Sequence, residues 1–183
     1  MEILSREVAF DGKFVRVIKK TFKTKSGKIG IWEVVERVKL QKRIVIIFAL
    51  TKDRQVILEK NYRVPLETYA IELPAGLTDK EGESEAEAAK RELFEETGYV
   101  AKEVIEVFAS VGAPGLTNTE CVYFFAPSVE FVGKQTADDE EEIEVFTVPL
   151  DKLVGYVLEP RPGIKIDDKI LNILPVLKHK QLI

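Results

Sequence analysis

Residues 83–99 read Glu-Ser-Glu-Ala-Glu-Ala-Ala-Lys-Arg-Glu-Leu-Phe-Glu-Glu-Thr-Gly-Tyr, and their spacing decides the fold. Ser84 with Glu87 three residues later forms a capping box, in which both orphan amides at a helix start find acceptors. Gly98 stands where a left-handed C-terminal residue is wanted. Between these ends Ala86, Ala89, Leu93 and Phe94 supply an apolar stripe at helical spacing, so the stretch 84–97 reads as a helix packed along one side. Its other side carries Glu92, Glu95 and Glu96, related by i,i+3 and i,i+4 and therefore on one face. Like charges so spaced destabilise an isolated helix by about 0.2–0.5 kcal/mol per pair. A hard divalent cation offsets that repulsion, since Mg²⁺ favours carboxylate oxygens together with water and substrate phosphate. Arg91 beside them can orient a carboxylate through its planar fork. Taken alone, however, three glutamates on a helix more often mean a solvated face.

Outward from this helix the chain reads mostly as strands. Arg43-Ile-Val-Ile-Ile-Phe-Ala-Leu is continuously apolar, as a strand buried on both faces should be, and the turn-forming Thr51-Lys-Asp-Arg separates it from Gln55-Val-Ile-Leu-Glu-Lys. Upstream, Lys13-Phe-Val-Arg-Val-Ile, Thr21-Phe-Lys-Thr and Gly30-Ile-Trp-Glu-Val-Val-Glu-Arg read as short strands around the turn-rich Lys25-Ser-Gly-Lys. Further strands are expected around residues 104–111, 121–127 and 142–148, with a last helix over 165–179 that Pro175 should kink or shorten. Strands on both sides of a long helix, with another helix at the end, favour an α/β sandwich over a bundle or an all-β barrel.

Composition bounds the function classes. The chain has 183 residues, 45% hydrophobic and 32% charged, which fits one ordinary domain or one domain with a small appendage. The net charge of -4 argues against a dominant electrostatic grip on nucleic acid. A single cysteine, Cys121, cannot form an internal disulfide, which fits a reducing cytoplasm. The N-terminal Met1-Glu-Ile-Leu-Ser-Arg-Glu is too charged for a signal peptide, and no apolar run approaches the roughly 20 residues that span a bilayer. The expectation is a cytoplasmic protein without membrane or nucleic-acid partners.

The helix and its approach resemble the Nudix box, in which Gly, five residues, Glu, seven residues and then Arg-Glu-aliphatic-any-Glu-Glu-any-Gly-aliphatic follow one another. Glu83, Arg91, Glu92, Leu93, Glu95, Glu96 and Gly98 fall in register, with Tyr99 at the last position. Gly76 lies one residue further from Glu83 than the pattern has it, which makes the intervening loop one residue longer. The resemblance implies an α/β/α sandwich around a mixed β-sheet with an N-terminal β-rich extension. It also implies hydrolysis of a nucleoside diphosphate linked to another moiety, with Mg²⁺ or Mn²⁺ as cofactor. On that likeness Glu92 and Glu96 are metal ligands, Glu95 ligates or supports them, and Arg91 and Glu83 orient the ligands.

Outside the box the chain resembles the ADP-ribose pyrophosphatase branch of that family, through Asn61-Tyr-Arg-Val-Pro and Ile71-Glu-Leu-Pro-Ala-Gly. By that similarity Arg63 would contact the diphosphate or ribose, Glu72 would support the site, and the carbonyl of Ala75 would take a metal. Gly12-Lys-Phe and Trp32-Glu-Val-Val-Glu-Arg resemble the segments that hold the adenine in some members. Trp32, with Phe14, would stack on the base, and Glu33 and Arg37 would add polar contacts; ordinary packing is the alternative for Trp32. Stacking of this kind is worth about 1–3 kcal/mol per base. The branch also implies a two-fold dimer built through the N-terminal strands, dividing the chain into a β-rich segment 1–40 and a hydrolase domain 41–183.

The run Asp138-Asp-Glu-Glu-Glu reads first as a solvated, self-repelling loop. The branch has a similar loop over its metals, and that likeness points to Glu141 as a ligand and to Asp139 or Glu140 as base. In Ala113-Pro-Gly-Leu-Thr-Asn-Thr-Glu120, Thr117 and Glu120 are either substrate-side groups or structural. Cys121 reads as a buried small hydrophobe, and His179 is assigned no function. The leading expectation is ADP-ribose cleaved to AMP and ribose 5-phosphate; the alternatives are another sugar nucleotide such as GDP-mannose, or an inactive nucleotide-binding sensor.

Overall fold

A computed structural model describes residues 1–38, 43–133 and 142–183. In chain order the elements are β1 (Glu2–Asp11), β2 (Val15–Lys23), β3 (Ile29–Arg37), β4 (Ile44–Thr51), β5 (Gln55–Arg63), a 3₁₀ turn (Val64–Leu66), β6 (Thr68–Glu72), β7 (Ala75–Leu77), α1 (Glu85–Thr97), β8 (Tyr99–Val100), β9 (Ile105–Val111), β10 (Glu120–Phe131), β11 (Ile143–Pro149), α2 (Leu153–Leu158), β12 (Ile164–Ile166), α3 (Lys169–Asn172) and α4 (Leu174–His179). The first three strands form an antiparallel sheet of their own. The rest form a mixed sheet ordered β12-β6-β5-β4-β10-β8, with β11 on β5, β7 on β4 and β9 on β10. The β4–β10 and β12–β6 pairs are parallel.

Strand β4 explains why helices cover both faces. Its side chains alternate, and every one from Val45 to Leu50 is buried. Val45, Ile47 and Ala49 join Ala88, Ala89 and Leu93 of α1 in one core. Ile46, Phe48 and Leu50 join Leu153 and Val157 of α2, Ile170 of α3 and Leu174 and Leu177 of α4 in the other. The expected α/β sandwich around a mixed sheet is what the chain builds, and the doubly buried strand expected at 43–50 is its centre.

Helix α1 has the expected ends. The Glu87 amide donates to Ser84 Oγ at 3.2 Å, the Ser84 amide donates to Glu87 Oε2 at 2.8 Å, and Gly98 closes the helix at φ 74°. Of its apolar residues Ala88, Ala89 and Leu93 are buried, with Ala86 and Phe94 of the expected stripe only partly covered, and Glu96 and Thr97 are buried at its end. The expected C-terminal helix over 165–179 is not continuous. Ile164–Ile166 pairs instead with β6 as strand β12, and two short helices follow, the second with Pro175 in its first turn. Proline lacks the amide that would extend a preceding helix, so the chain restarts there. At the other end the two short strands expected at 13–18 and 21–24 are one strand, β2, whose edges are paired by β1 and β3. The 3₁₀ turn, β7, β12 and α2 are short elements that carry little periodicity of their own.

Candidate active site

Gly76 fixes the geometry of the site. It sits on β7, opposite Val45 of β4, and a Cβ built there would lie 1.9 Å from Glu92 Cδ. Only glycine lets the strand come this close to the helix. The loop that is one residue longer than the family pattern therefore leaves Gly76 against the helix glutamates.

Arg91 organises the carboxylates. Its Nε and Nη2 donate to Glu83 at 2.8 and 2.9 Å, its Nη1 donates to Glu92 at 2.7 Å and to Glu95 at 2.8 Å, and Nη2 also reaches the Leu77 carbonyl at 3.2 Å. The guanidinium thus joins the loop to three glutamates in one fork, as expected for an orienting residue. Glu96, buried at the end of the helix, accepts from the Ala75 amide at 2.9 Å. Arg63 Nε and Nη2 grip Glu72 at 2.8 and 2.6 Å. Lys80, from the longer loop, stands 3.4 Å from Glu95.

These residues line one cavity of about 770 Å³. It brings together Arg37, Arg63, Glu72, Ala75, Arg91, Glu92, Glu95 and Glu96, all singled out in the sequence, with Gly76 and Asp79 between them. Glu83 acts on the cavity through Arg91. Phe14, Trp32, Glu33 and Glu120 are not among the lining residues. Asp139, Glu140 and Glu141 lie outside the described residues.

Trp32 is 52% exposed on β3 and donates from its indole N–H to the Gly115 carbonyl at 2.8 Å, with Phe22 tilted beside it at 6.5 Å. Five positions separate it from Arg37, so strand alternation puts the two on opposite faces of β3. Phe14 is exposed with the Lys13 ammonium over its ring. Thr117 bonds to Thr119 and bridges to Val35, tying the loop to β3. Glu120 is exposed at the start of β10, and His179 is exposed at the end of α4. The cavity also holds residues outside the sequence reading, Lys80, Asp167 and Lys169. A signal for the last two existed in the charge-bearing stretch after Ile166, but only the parallel pairing of β12 with β6 carries it to the site.

The electrostatics follow from burial. Desolvation pushes the Glu92 carboxyl above the usual carboxylate range, helped by Glu95 and Asp79 and opposed by Arg91. The Arg91 guanidinium holds Glu83 below that range. Burial pushes the Cys121 thiol up, so it behaves as an un-ionised packing residue on the cavity wall. As the side chains stand, no three Asp, Glu, His or Cys among the described residues converge on a metal-sized point. Glu92 and Glu95 are turned to Arg91 and Glu96 to an amide. The donor chemistry nevertheless fits a hard divalent cation. All three are carboxylate oxygens on one helix face, their mutual repulsion is only partly met by one shared guanidinium, and Gly76 leaves no side chain in the way.

The family model for the NUDIX domain matches residues 40–172. The chain is 32% identical to the ADP-ribose pyrophosphatase of Bacillus subtilis (strain 168), over 84% of this chain and 81% of that protein. It is 33% identical to the ADP-sugar pyrophosphatase of Mus musculus, over 97% of this chain and 87% of that protein. Among solved structures, one described as an ADP compounds hydrolase superposes with a TM-score of 0.82 at 22% identity, covering 98% of this chain and 93% of that one, a likeness that speaks for the fold. No helix among the described residues is long and apolar enough to cross a membrane. With Glu92 and Glu95 of the box gathered on Arg91 in one cavity, and with the family model matching residues 40–172, the chain belongs to the Nudix family.

Proposed function

We propose that the chain hydrolyses the diphosphate of a nucleoside diphosphate sugar, cleaving ADP-ribose to AMP and ribose 5-phosphate. The observation that carries this reading is the shared cavity, in which Arg63 and Glu72 from the strands stand beside the Arg91–Glu92–Glu95 cluster of the helix. The named activities of the B. subtilis and mouse relatives point the same way. Glu92, Glu95 and Glu96, with the Ala75 carbonyl, would hold Mg²⁺ or Mn²⁺, which when bound neutralises the diphosphate and lowers the pKa of an attacking water. Arg91 sets the orientation of Glu92 and Glu95 while Glu83 holds the guanidinium flat against the loop. Arg63, fixed by Glu72, supplies positive charge to the diphosphate. Glu141 as a further ligand, and Asp139 or Glu140 as base, complete the proposal.

The reading of the N-terminal segment 1–40 as a dimer element is supported by the strands among its described residues. All ten residues of β1 are exposed, and Ile29, Ile31 and Trp32 of β3, on the far side of β2, are exposed as well. Exposed apolar side chains in that number mark an interaction surface. We infer a cytoplasmic homodimer in which Trp32 and Phe14 clamp the base and Glu33 contacts it from the same segment. A hydrolysis panel with Mg²⁺, comparing ADP-ribose with GDP-mannose, diadenosine polyphosphates, NADH and 8-oxo-dGTP, tests the reading. Preferred release of AMP from ADP-ribose is the expected result; preference for another substrate overturns the assignment of ADP-ribose. Tight ADP-ribose binding without any turnover makes the chain a sensor and overturns hydrolysis altogether.

A further inference from the structure

The cavity has two walls of different charge. On the α1 side Glu92, Glu95, Glu96 and Asp79 stand with Arg91 and Lys80. From β3, β5, β6 and the chain after β12 come Arg37, Arg63 and Lys169, with Glu72 and Asp167. The first wall is acidic in sum and the second basic, although both line one space.

The second wall is built from a part of the chain remote from the Nudix box. Ile166 of β12 pairs with Ile71 of β6, and the Asp167 amide donates to the Ile71 carbonyl at 2.9 Å, which sets Asp167 next to the strand that carries Glu72. Asp167 then turns back on Lys169. Its Oδ1 accepts from the Lys169 backbone amide at 3.0 Å and from Nζ at 2.9 Å, and its Oδ2 accepts from Nζ at 2.7 Å. The Lys169 and Asp167 side chains are only 29% and 18% exposed. Burial pulls the Lys169 ammonium down, but the hydrogen bond and charge of Asp167 outweigh it, so the group stays charged.

Packing does not require this pair. The anchor of α3 is Ile170, its one buried residue. A desolvated ion pair is commonly no better for stability than apolar side chains of the same size, and charge held in a cleft is a mark of function. Arg37, at the end of β3, belongs to the same corner, since Lys169, Asp167 and Arg37 all bear electrostatically on the Cys121 thiol beneath them. The corner is thus reached from the strand that carries Trp32, and it lines the same cavity as the acidic residues of the α1 side.

We propose that Lys169, positioned by Asp167, is a substrate-binding residue that grips, together with Arg37, the nucleoside monophosphate half of the substrate. The cationic corner suits the phosphate next to the nucleoside, and the acidic wall suits the cation-bound remainder of the diphosphate. Asp167 acts by holding the ammonium in place and by offering its carboxylate to a ribose hydroxyl. The assignment rests on the proposed diphosphate hydrolysis only for the identity of the two halves.

Product binding tests it without turnover. Calorimetric titration of the full chain with AMP and with ribose 5-phosphate, in Mg²⁺, is compared for the unaltered protein, Lys169→Met, Lys169→Arg and Asp167→Asn. The expected result is AMP affinity reduced about tenfold or more in Lys169→Met, within threefold of the unaltered protein in Lys169→Arg, and intermediate in Asp167→Asn, with ribose 5-phosphate affinity unchanged throughout. ADP-ribose kinetics should show the same loss in KM, with kcat changed less than threefold. In the unaltered protein, AMP and not ribose 5-phosphate should slow acylation of the Lys169 amine as read by mass spectrometry, a measurement that needs no variant to fold. Unchanged AMP affinity in Lys169→Met, loss confined to ribose 5-phosphate, or no protection of the amine by AMP each overturns the proposal. Intact AMP binding at Lys169 without ADP-ribose turnover would refute the substrate and sustain the assignment.

Discussion

Strands β4 and β1 are both extended and both rich in apolar residues, yet they end in opposite environments. From Val45 to Leu50 every β4 side chain is buried, with α1 over one face and α2 to α4 over the other. All ten residues of β1 are exposed, among them Ile3, Leu4, Val8 and Phe10. In the three-stranded sheet only Ile18 is buried. That sheet is a single layer, and it is tied to the rest by backbone and side-chain bonds at Val35, Leu116, Trp32 and Gly115. Apolar content therefore marks what a strand can bury, and the cover supplied by neighbouring elements decides whether it does. One region holds the molecule and the site together; the other presents a surface to something else.

The difference can be broken by matched truncations. Leu93 of α1 is fully buried, and Leu93→Ala should lower the unfolding free energy by about 2–5 kcal/mol, read from denaturant melts. A much smaller loss would mean that α1 is not the cover of that core. Glu83→Gln comes next, at about 1–2 kcal/mol at neutral pH, because the Glu83 carboxylate holds both Nε and Nη2 of Arg91. Its sign with pH is fixed. A carboxyl held below its usual range stabilises the fold above the unfolded-state pKa and loses that contribution as pH falls through the folded value, so the gap between Glu83→Gln and the unaltered protein should narrow as pH falls below the usual carboxylate range. A gap independent of pH would show that the ion pair is not its source. Smallest is Ile31→Ala, 66% exposed, which should change chain stability by less than about 0.5 kcal/mol. It should, however, weaken dimerisation measured by sedimentation, and a monomer at all concentrations would remove the proposed use of that face.

Most of the central region was legible from local rules. The capping box at Ser84, the stop at Gly98 and the apolar run at 44–50 each express a short-range requirement, and each stands where it was expected. The shared face of the glutamates was legible through the spacing of a helix, whose geometry is known before any tertiary contact forms, but their reading as a site came from the resemblance to the Nudix box. The Asp167–Lys169 corner was not, because its place depends on a parallel strand pairing between residues 71 and 166 that no local pattern announces. The C-terminal helix failed for a related reason. A short apolar run can serve as helix or strand, and the open edge of β6 takes Ile164–Ile166 as a strand where a helix was expected to start. Trp32 was legible as a notable aromatic, but whether it meets a base depends on what approaches an exposed sheet, and a single chain carries no pattern for that.

The measurement that reaches the centre of the account is the turnover of ADP-ribose, with Mg²⁺, by Glu92→Gln beside the unaltered protein. Glu92 is the carboxylate packed against Gly76 and held by Arg91, with burial pushing its carboxyl above the usual range. The substitution keeps the side-chain shape and removes the charge. The account predicts a fall in turnover of about a hundredfold or more, as for loss of a metal-site carboxylate, with the thermal melt and circular dichroism of a folded protein. Undiminished turnover in a folded Glu92→Gln protein would contradict it and place the chemistry elsewhere than on the helix face from which the reading began.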